Sequence, residues 1–286
     1  MQEPSLDHWT FIFLLAGANG LFLSLVLFRQ NRGNYQANRL LAVIMLLFGI
    51  SLFYYVAYWT GYIKVLPSIL QVIFILPLTF APLFLFYFKR LYQKSIPRRD
   101  AWHFLPFVVL FIYYFPHYIG WEPPYSEILY SNVSYLLRVI LFNLVMLAYA
   151  AYLFYYLKQQ NKSATLLSTQ YRWMQKAAAC YAGFAISLAT YYILYLTIDF
   201  DITHDYAVSF FMAVFIYLAG YLGYRQPEIL SGQIPEPKKK VPKYAKSGLS
   251  SAEAAFHLKN ITRYMEEKQP FLDCELRMED LAHQLN

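Results

Sequence analysis

Apolar residues along this chain are gathered into seven long runs, near Trp9–Phe28, Leu40–Trp59, Pro67–Phe88, His103–Ile119, Asn132–Tyr156, Ala177–Ile198 and Tyr206–Tyr224. Short polar stretches separate them, and after Arg225 the pattern changes. Most of the runs have the eighteen or so residues that a helix needs to cross about 30 Å of hydrocarbon. The fourth is short and holds Pro106 and Pro116. The third holds Pro77 and Pro82, which predict a kink or a locally freed carbonyl.

Beyond Arg225 come Gly232, Pro235, Pro237 and Pro242, interleaved with Lys238, Lys239, Lys240, Lys243 and Lys246. The prolines keep this stretch extended. Next to a membrane the lysines would hold it against anionic lipid, at about 1 kcal/mol per charge. Ordinary cytoplasmic charge bias would place the same lysines there with no regulatory meaning. From Ser250 the period becomes helical. Ser250 and Glu253 form a capping-box pattern, Ala254, Leu258, Ile261 and Met265 fall on one face, and Pro270 ends the helix. A second helical pattern has Met278, Leu281 and Leu285 on one face, with Glu279 and Asp280 in its first turn.

Loop charge orients the runs. The loops after runs one, three and five carry twelve cations: Arg29, Arg32 and Arg39; Lys89, Arg90, Lys94, Arg98 and Arg99; Lys158, Lys162, Arg172 and Lys176. The alternate loops carry one, Lys64, beside Glu122, Glu127, Asp199, Asp201 and Asp205. The positive-inside rule then puts the N-terminus outside and the C-terminus in the cytoplasm, a parity that needs seven crossings. The N-terminus carries Glu3 and Asp7 and no basic residue before the first run, so no cleavable signal peptide is expected. The expected architecture is all-α: a polytopic bundle of seven transmembrane helices over residues 1–226, a Pro/Lys-rich cytoplasmic linker over 227–249, and a short cytoplasmic helical segment over 250–286.

Composition agrees. Of the 286 residues 58% are hydrophobic and only 14% charged, against about 25% charged in an average soluble domain. Aromatic residues make up 20%, and Tyr and Trp crowd the run ends, where amphipathic rings favour the headgroup level. Cys180 and Cys274 are expected to be unpaired and to bind no metal.

The tail also carries a resemblance. Tyr264-Met265-Glu266-Glu267-Lys268-Gln269-Pro270-Phe271-Leu272-Asp273, followed by Glu275-Leu276-Arg277-Met278-Glu279-Asp280-Leu281-Ala282, resembles the start of an AraC-type helix-turn-helix domain. In that family the Leu-Ala pair lies on the first helix of the first helix-turn-helix. The resemblance therefore implies helix packing by Met278, Leu281, Ala282 and Leu285, with the recognition helix expected beyond Asn286. Arg277 stands where the family usually has Ser or Thr, which weakens the expected cap. The same run also fits a generic amphipathic helical pair or a dimerisation stalk.

Candidate chemistry is sparse. No phosphate-binding glycine loop, His-Glu-x-x-His motif or paired intramembrane aspartates occur, so no enzyme activity, cofactor or metal is expected. Run seven has no lysine for a retinal Schiff base. Arg138 lies inside run five, about two turns from its outer end. An ionisable residue at such a depth marks a functional site by default, although it can also snorkel to the interface. Tyr130, Tyr135, Tyr191, Tyr192 and Tyr195 fall near the same depth. Together they outline an outer pocket in which Arg138 would hold an anionic headgroup or carboxylate, or pair with Asp199 or Asp201. The loop Asp199–Asp205, with Asp201 and His204, has oxygen ligands enough for a divalent cation but no glycine to shape it, and such acidity also follows from topology alone. Asn19, Gln71 and Asn143 are expected to hydrogen-bond across helices.

The combined expectation is a membrane-bound one-component transcription regulator of the bacterial inner membrane, similar to those of Bacteroidota-type bacteria. Its partners would be the lipid bilayer, DNA through the full-length protein, an unidentified signal ligand and a second copy in a homodimer. A sensor bundle coupled to a kinase and a small transporter with a regulatory tail are the alternatives.

Overall fold

A computed structural model describes residues 6–30, 33–92, 94–121, 132–161, 168–198, 206–225 and 250–272, together with 277, 279 and 282. All regular structure among these residues is helical. The chain divides into two units, Met1–Ile234 and Pro235–Asn286.

In the first unit the apolar runs become α1 (His8–Arg29), α2 (Tyr35–Trp59), α3 (Pro77–Leu91), α4 (Leu105–Tyr118), α5 (Asn132–Asn161), α6 (Ser168–Thr197) and α7 (Tyr206–Arg225). Five of these, α1, α2, α5, α6 and α7, are long and apolar enough to cross a membrane. A sixth span is available if run three counts as one broken crossing. There a 3-10 segment, Ser68–Ile75, meets α3 at a 51° bend. The expected seventh, α4, has only 14 residues, about 21 Å of helix at 1.5 Å per residue. Its length is cut by proline at both ends. Pro106 lies in the first turn and Pro116 in the last, with a 3-10 turn, Arg98–Phe104, before it.

The two ends of the bundle are defined by contacts. At one end Asp7 caps α1, accepting from the Thr10 amide at 2.7 Å, and also accepts from the Tyr206 hydroxyl at 2.7 Å. Burial alone would raise the Asp7 pKa, but these donors outweigh it and hold the carboxyl below its ordinary value. Trp59 packs edge-on against Tyr206 and beside Phe13 at the same end. At the opposite end Asn34 donates to the Arg90 carbonyl at 2.7 Å, and Lys89 pairs with Asp100 at 2.5 Å.

Aromatic rings fill the centre. Phe48 of α2 meets Phe80 and Phe84 of α3 and Phe215 of α7, and Trp173 of α6 stacks on Phe215. Each such pair adds about 0.5–1.5 kcal/mol beyond the area it buries. Trp173 Nε1 donates to the buried Tyr87 hydroxyl at 2.8 Å, and the Tyr181 hydroxyl donates to the Met146 carbonyl at 3.2 Å. Neither polar tip is left unsatisfied where water is excluded. α1 and α2 approach closely where Gly17 faces Gly49. A Cβ on Gly49 would lie 2.9 Å from the Gly17 carbonyl oxygen. Small residues at that crossing let the two backbones meet, which supplies the packing that drives association in lipid.

In the second unit, helix α8 (Ser251–Lys268) has the capping box the sequence predicts. Glu253 N donates to Ser250 Oγ at 3.2 Å, and Ser250 N donates to Glu253 Oε2 at 2.7 Å. Gln269 closes it in the left-handed region (φ 43°), and Pro270 follows. On its apolar face Leu258 and Ile261 are exposed. Of the second tail pattern, Glu279 and Ala282 are helical, while Met278, Leu281 and Leu285 lie outside the described residues.

Two measurements check these packing and capping arguments. Gly49→Val forces its side chain onto the Gly17 carbonyl, and overpacking of this kind costs about 1–3 kcal/mol. Thermal unfolding in detergent should therefore fall clearly for Gly49→Val. It should fall little for Gly220→Ala, whose Cβ meets the flexible end of Leu23 at 3.2 Å and Asn19 Nδ2 at 3.9 Å. At the tail, hydrogen bonds from Ser250 hold the Glu253 carboxyl below its ordinary value of 4.5. A depressed carboxylate stabilises the fold above its unfolded pKa, and that contribution is lost as pH falls through the folded pKa. Titration of Glu253 by NMR should give a midpoint below 4.5 in the wild type. In Ser250→Ala the midpoint should move up towards that value.

Candidate functional site

The break in run three prepares a cavity. Pro77 has no amide, so the helix cannot run through it with its full set of bonds. The Ile73 carbonyl, which a continuous helix would bond to residue 77, accepts instead from the Leu76 amide at 3.2 Å, and the Leu76 carbonyl accepts from the Thr79 amide at 2.8 Å and the Thr79 hydroxyl at 2.7 Å. Before the break the backbone is 3-10, with three residues per turn, so Gln71 and Phe74 stack on one edge. That edge faces α4, where Leu110, Tyr114 and His117 share a face, and α5, where Tyr135, Arg138, Val139 and Phe142 share another. With Tyr192 of α6 these residues line a cavity of about 220 Å³.

Arg138 sits in its wall. Nη1 donates to the Tyr113 hydroxyl and, at 3.1 Å, to Ser134 Oγ one turn back on α5. Its guanidinium carbon lies 4.7 Å from the centre of the Tyr113 ring and 5.6 Å from that of Tyr114. The charge is therefore anchored laterally, to tyrosines of a neighbouring helix, as well as along its own helix towards the Asp7 end. Across the cavity His117 Nε2 and Gln71 Oε1 are 3.1 Å apart.

A second cavity of about 200 Å³ adjoins the first. Phe74, Tyr135, Phe142 and Tyr192 line both. Its own wall is a set of rings: Tyr55, Tyr58 and Trp59 of α2 and Tyr191 and Tyr195 of α6. Of the five tyrosines the sequence places near Arg138, four thus line one cavity or the other. Tyr130 lies outside the described residues, as do Asp199, Asp201, His204 and Asp205 of the acidic loop and the linker residues Lys238, Lys239, Lys240, Lys243 and Lys246.

Two expectations about polar residues separate here. Gln71 reaches across helices, to His117. Asn143 does not. Its amide donates back to the Val139 carbonyl of its own helix at 2.8 Å, and its Oδ1 is buried without a hydrogen-bond partner among the described residues. Sequence reasoning did not weigh Tyr113, Tyr114 or His117, because they sit in the shortest run and their pairing with Arg138 and Gln71 joins positions 25 and 46 residues apart. It also read the loop after run three only as cations. Asp100 in that loop is buried against Lys89, and His103 Nδ1 beside it meets the Tyr149 hydroxyl at 2.8 Å.

Cys180 is buried and unpaired, and no group of three metal-ligating side chains occurs among the described residues. Comparison with protein-family models, with curated proteins and with solved structures finds no match for this chain.

Proposed function

We propose that this protein is a membrane-bound one-component transcription regulator, with a seven-span bundle that senses a signal and a cytoplasmic tail that reads DNA. The observation that carries the reading is the junction of two unlike parts in one chain. A bundle of apolar helices is followed by a polar, capped helix, α8, whose sequence continues into the run that resembles an AraC-type domain. In such a domain a helix enters the major groove, and two copies read two half-sites, so a homodimer in the bacterial inner membrane fits the reading.

The orientation follows from where the cations lie. Arg29, Lys89, Arg90, Lys158, Arg172 and Arg225 fall at the Arg90 end of their helices, which supports that end as cytoplasmic. For run four to complete the seventh crossing, residues flanking the 14-residue α4, from His103 to Ile119, have to reach the interface on both sides.

Two experiments test this. Alkaline phosphatase fused near Asp201 should be active and a fusion after Asn286 inactive; activity from the second fusion overturns the proposed orientation. Chromatin-style crosslinking of the tagged chromosomal gene product should enrich discrete promoter fragments. Enrichment no greater than that of an unrelated membrane protein overturns the DNA-reading function. Competing salt must be fixed in any binding assay, because lysine-rich segments bind phosphate weakly and with strong salt dependence.

A further inference from the structure

We propose that the cavity walled by Tyr55, Tyr58 and Trp59 of α2 and Tyr191 and Tyr195 of α6 takes up one small, uncharged, planar ring that carries an oxygen acceptor. Its walls are rings already set at the separations aromatic side chains prefer, about 4.5–7 Å between centres. On the α2 side Phe74, which the break in run three presents, stands edge-on to Tyr58 at 5.8 Å, and Tyr55 tilts against Trp59 at 6.2 Å. On the α6 side Tyr191 and Tyr192 meet edge to face at 5.3 Å. A further flat ring between the two sides extends both sets and gains ring contacts beyond its burial. A saturated ring of the same size gains burial alone.

Size and polarity narrow the class. An apolar cavity of about 150 Å³ takes up benzene, so about 200 Å³ holds one six-membered ring with small substituents. No carboxylate or cation lies among the described lining residues, so an ion would give up its hydration there without a counter-charge. A neutral ring avoids that cost. Arg138 takes no part, because it is engaged with Tyr113 and Ser134 in the wall of the neighbouring cavity. The side-chain polar atoms of this wall are phenol hydroxyls and the Trp59 Nε1. Tyr135 stands where the two cavities join, within electrostatic reach of the Tyr58 and Tyr195 phenols, and its hydroxyl hydrogen-bonds no described residue. That hydroxyl is placed to donate to an oxygen on the ring. A phenol dissolved in water and a quinone headgroup dissolved in the bilayer share this chemistry.

The site would supply the signal in the regulator proposed above, but its occupancy is measured without any promoter. Failure of the DNA reading therefore leaves this test intact. The purified chain in phosphatidylglycerol nanodiscs is titrated calorimetrically with 4-methylphenol, 4-methylcyclohexanol, toluene and benzoate. Empty nanodiscs, titrated in parallel, measure partition into lipid, which is subtracted. 4-Methylphenol should bind at least tenfold more tightly than any of the other three. Tyr135→Phe should bring 4-methylphenol down to the affinity of toluene and leave toluene unchanged, whereas Tyr191→Leu should weaken both. Each variant is compared only if its unfolding profile matches the wild type, and the four-probe comparison on the wild type stands without them. Loading the nanodiscs with decylubiquinone identifies the source. Weakened 4-methylphenol binding marks a bilayer quinone headgroup as occupant, and unchanged binding marks a water-borne phenol; both support the ring site. Equal affinity for 4-methylphenol and any of the other three probes overturns the proposal. So does 4-methylphenol binding that neither variant disturbs, or a 4-methylphenol signal no larger than that of empty nanodiscs.

Discussion

A backbone amide that enters hydrocarbon has to find its acceptor inside the protein, because lipid offers none. Most of the first unit obeys this with unbroken helices. The exception is Leu76–Pro77, where a helix would lose a bond. The Leu76 amide takes up the Ile73 carbonyl that residue 77 cannot reach, and the Thr79 amide and hydroxyl take up the Leu76 carbonyl, so the break is tolerated at depth. The rest of the site depends on that repair. A straight helix through run three would not put Gln71 and Phe74 on one 3-10 edge facing α4 and α5.

The same constraint explains why the core is aromatic and why Trp173 and Tyr181 each pair their polar tips. Without a hydrophobic force between helices in lipid, close packing and a few interhelical hydrogen bonds hold them together. Rings such as Phe48, Phe80 and Phe215 interlock from three helices, and Trp173 and Tyr87 satisfy each other. Gly17 and Gly49 bring α1 and α2 together by backbone contact instead. The tightly packed half of the bundle is thus α1, α2, α3 and α7 with the inner face of α6. By contrast α5 has only about a fifth of its apolar window buried inside the protein, and it lines the cavity with Tyr135, Arg138, Val139 and Phe142.

Arginine at the depth of Arg138 would be costly if it faced lipid alone. In the structure it is held by groups of the protein. Ser134 draws it one turn towards the helix end, while the two tyrosines of α4 hold it at the cavity. The short helix α4 is what makes this possible. Its prolines spoil it as a regular span, yet its tyrosines and His117 are what close the cavity from that side.

Local chemistry made much of this legible beforehand. Apolar run length determined the helices, because a span needs about twenty apolar residues whatever its neighbours are. Ser250, Glu253 and Pro270 determined the bounds of α8, because capping and termination act within a single turn. Pro77 announced a break for the same reason. What only the tertiary structure decided is how these segments meet. The 51° angle at the break, the pairing of Gln71 with His117, the tyrosines around Arg138 and the buried Lys89–Asp100 contact all join residues from different segments or distant positions. Asn143 shows the limit most plainly. A buried amide can turn to its own helix or to another, and periodicity is the same either way. In the structure its donor lies on the Val139 carbonyl of its own helix.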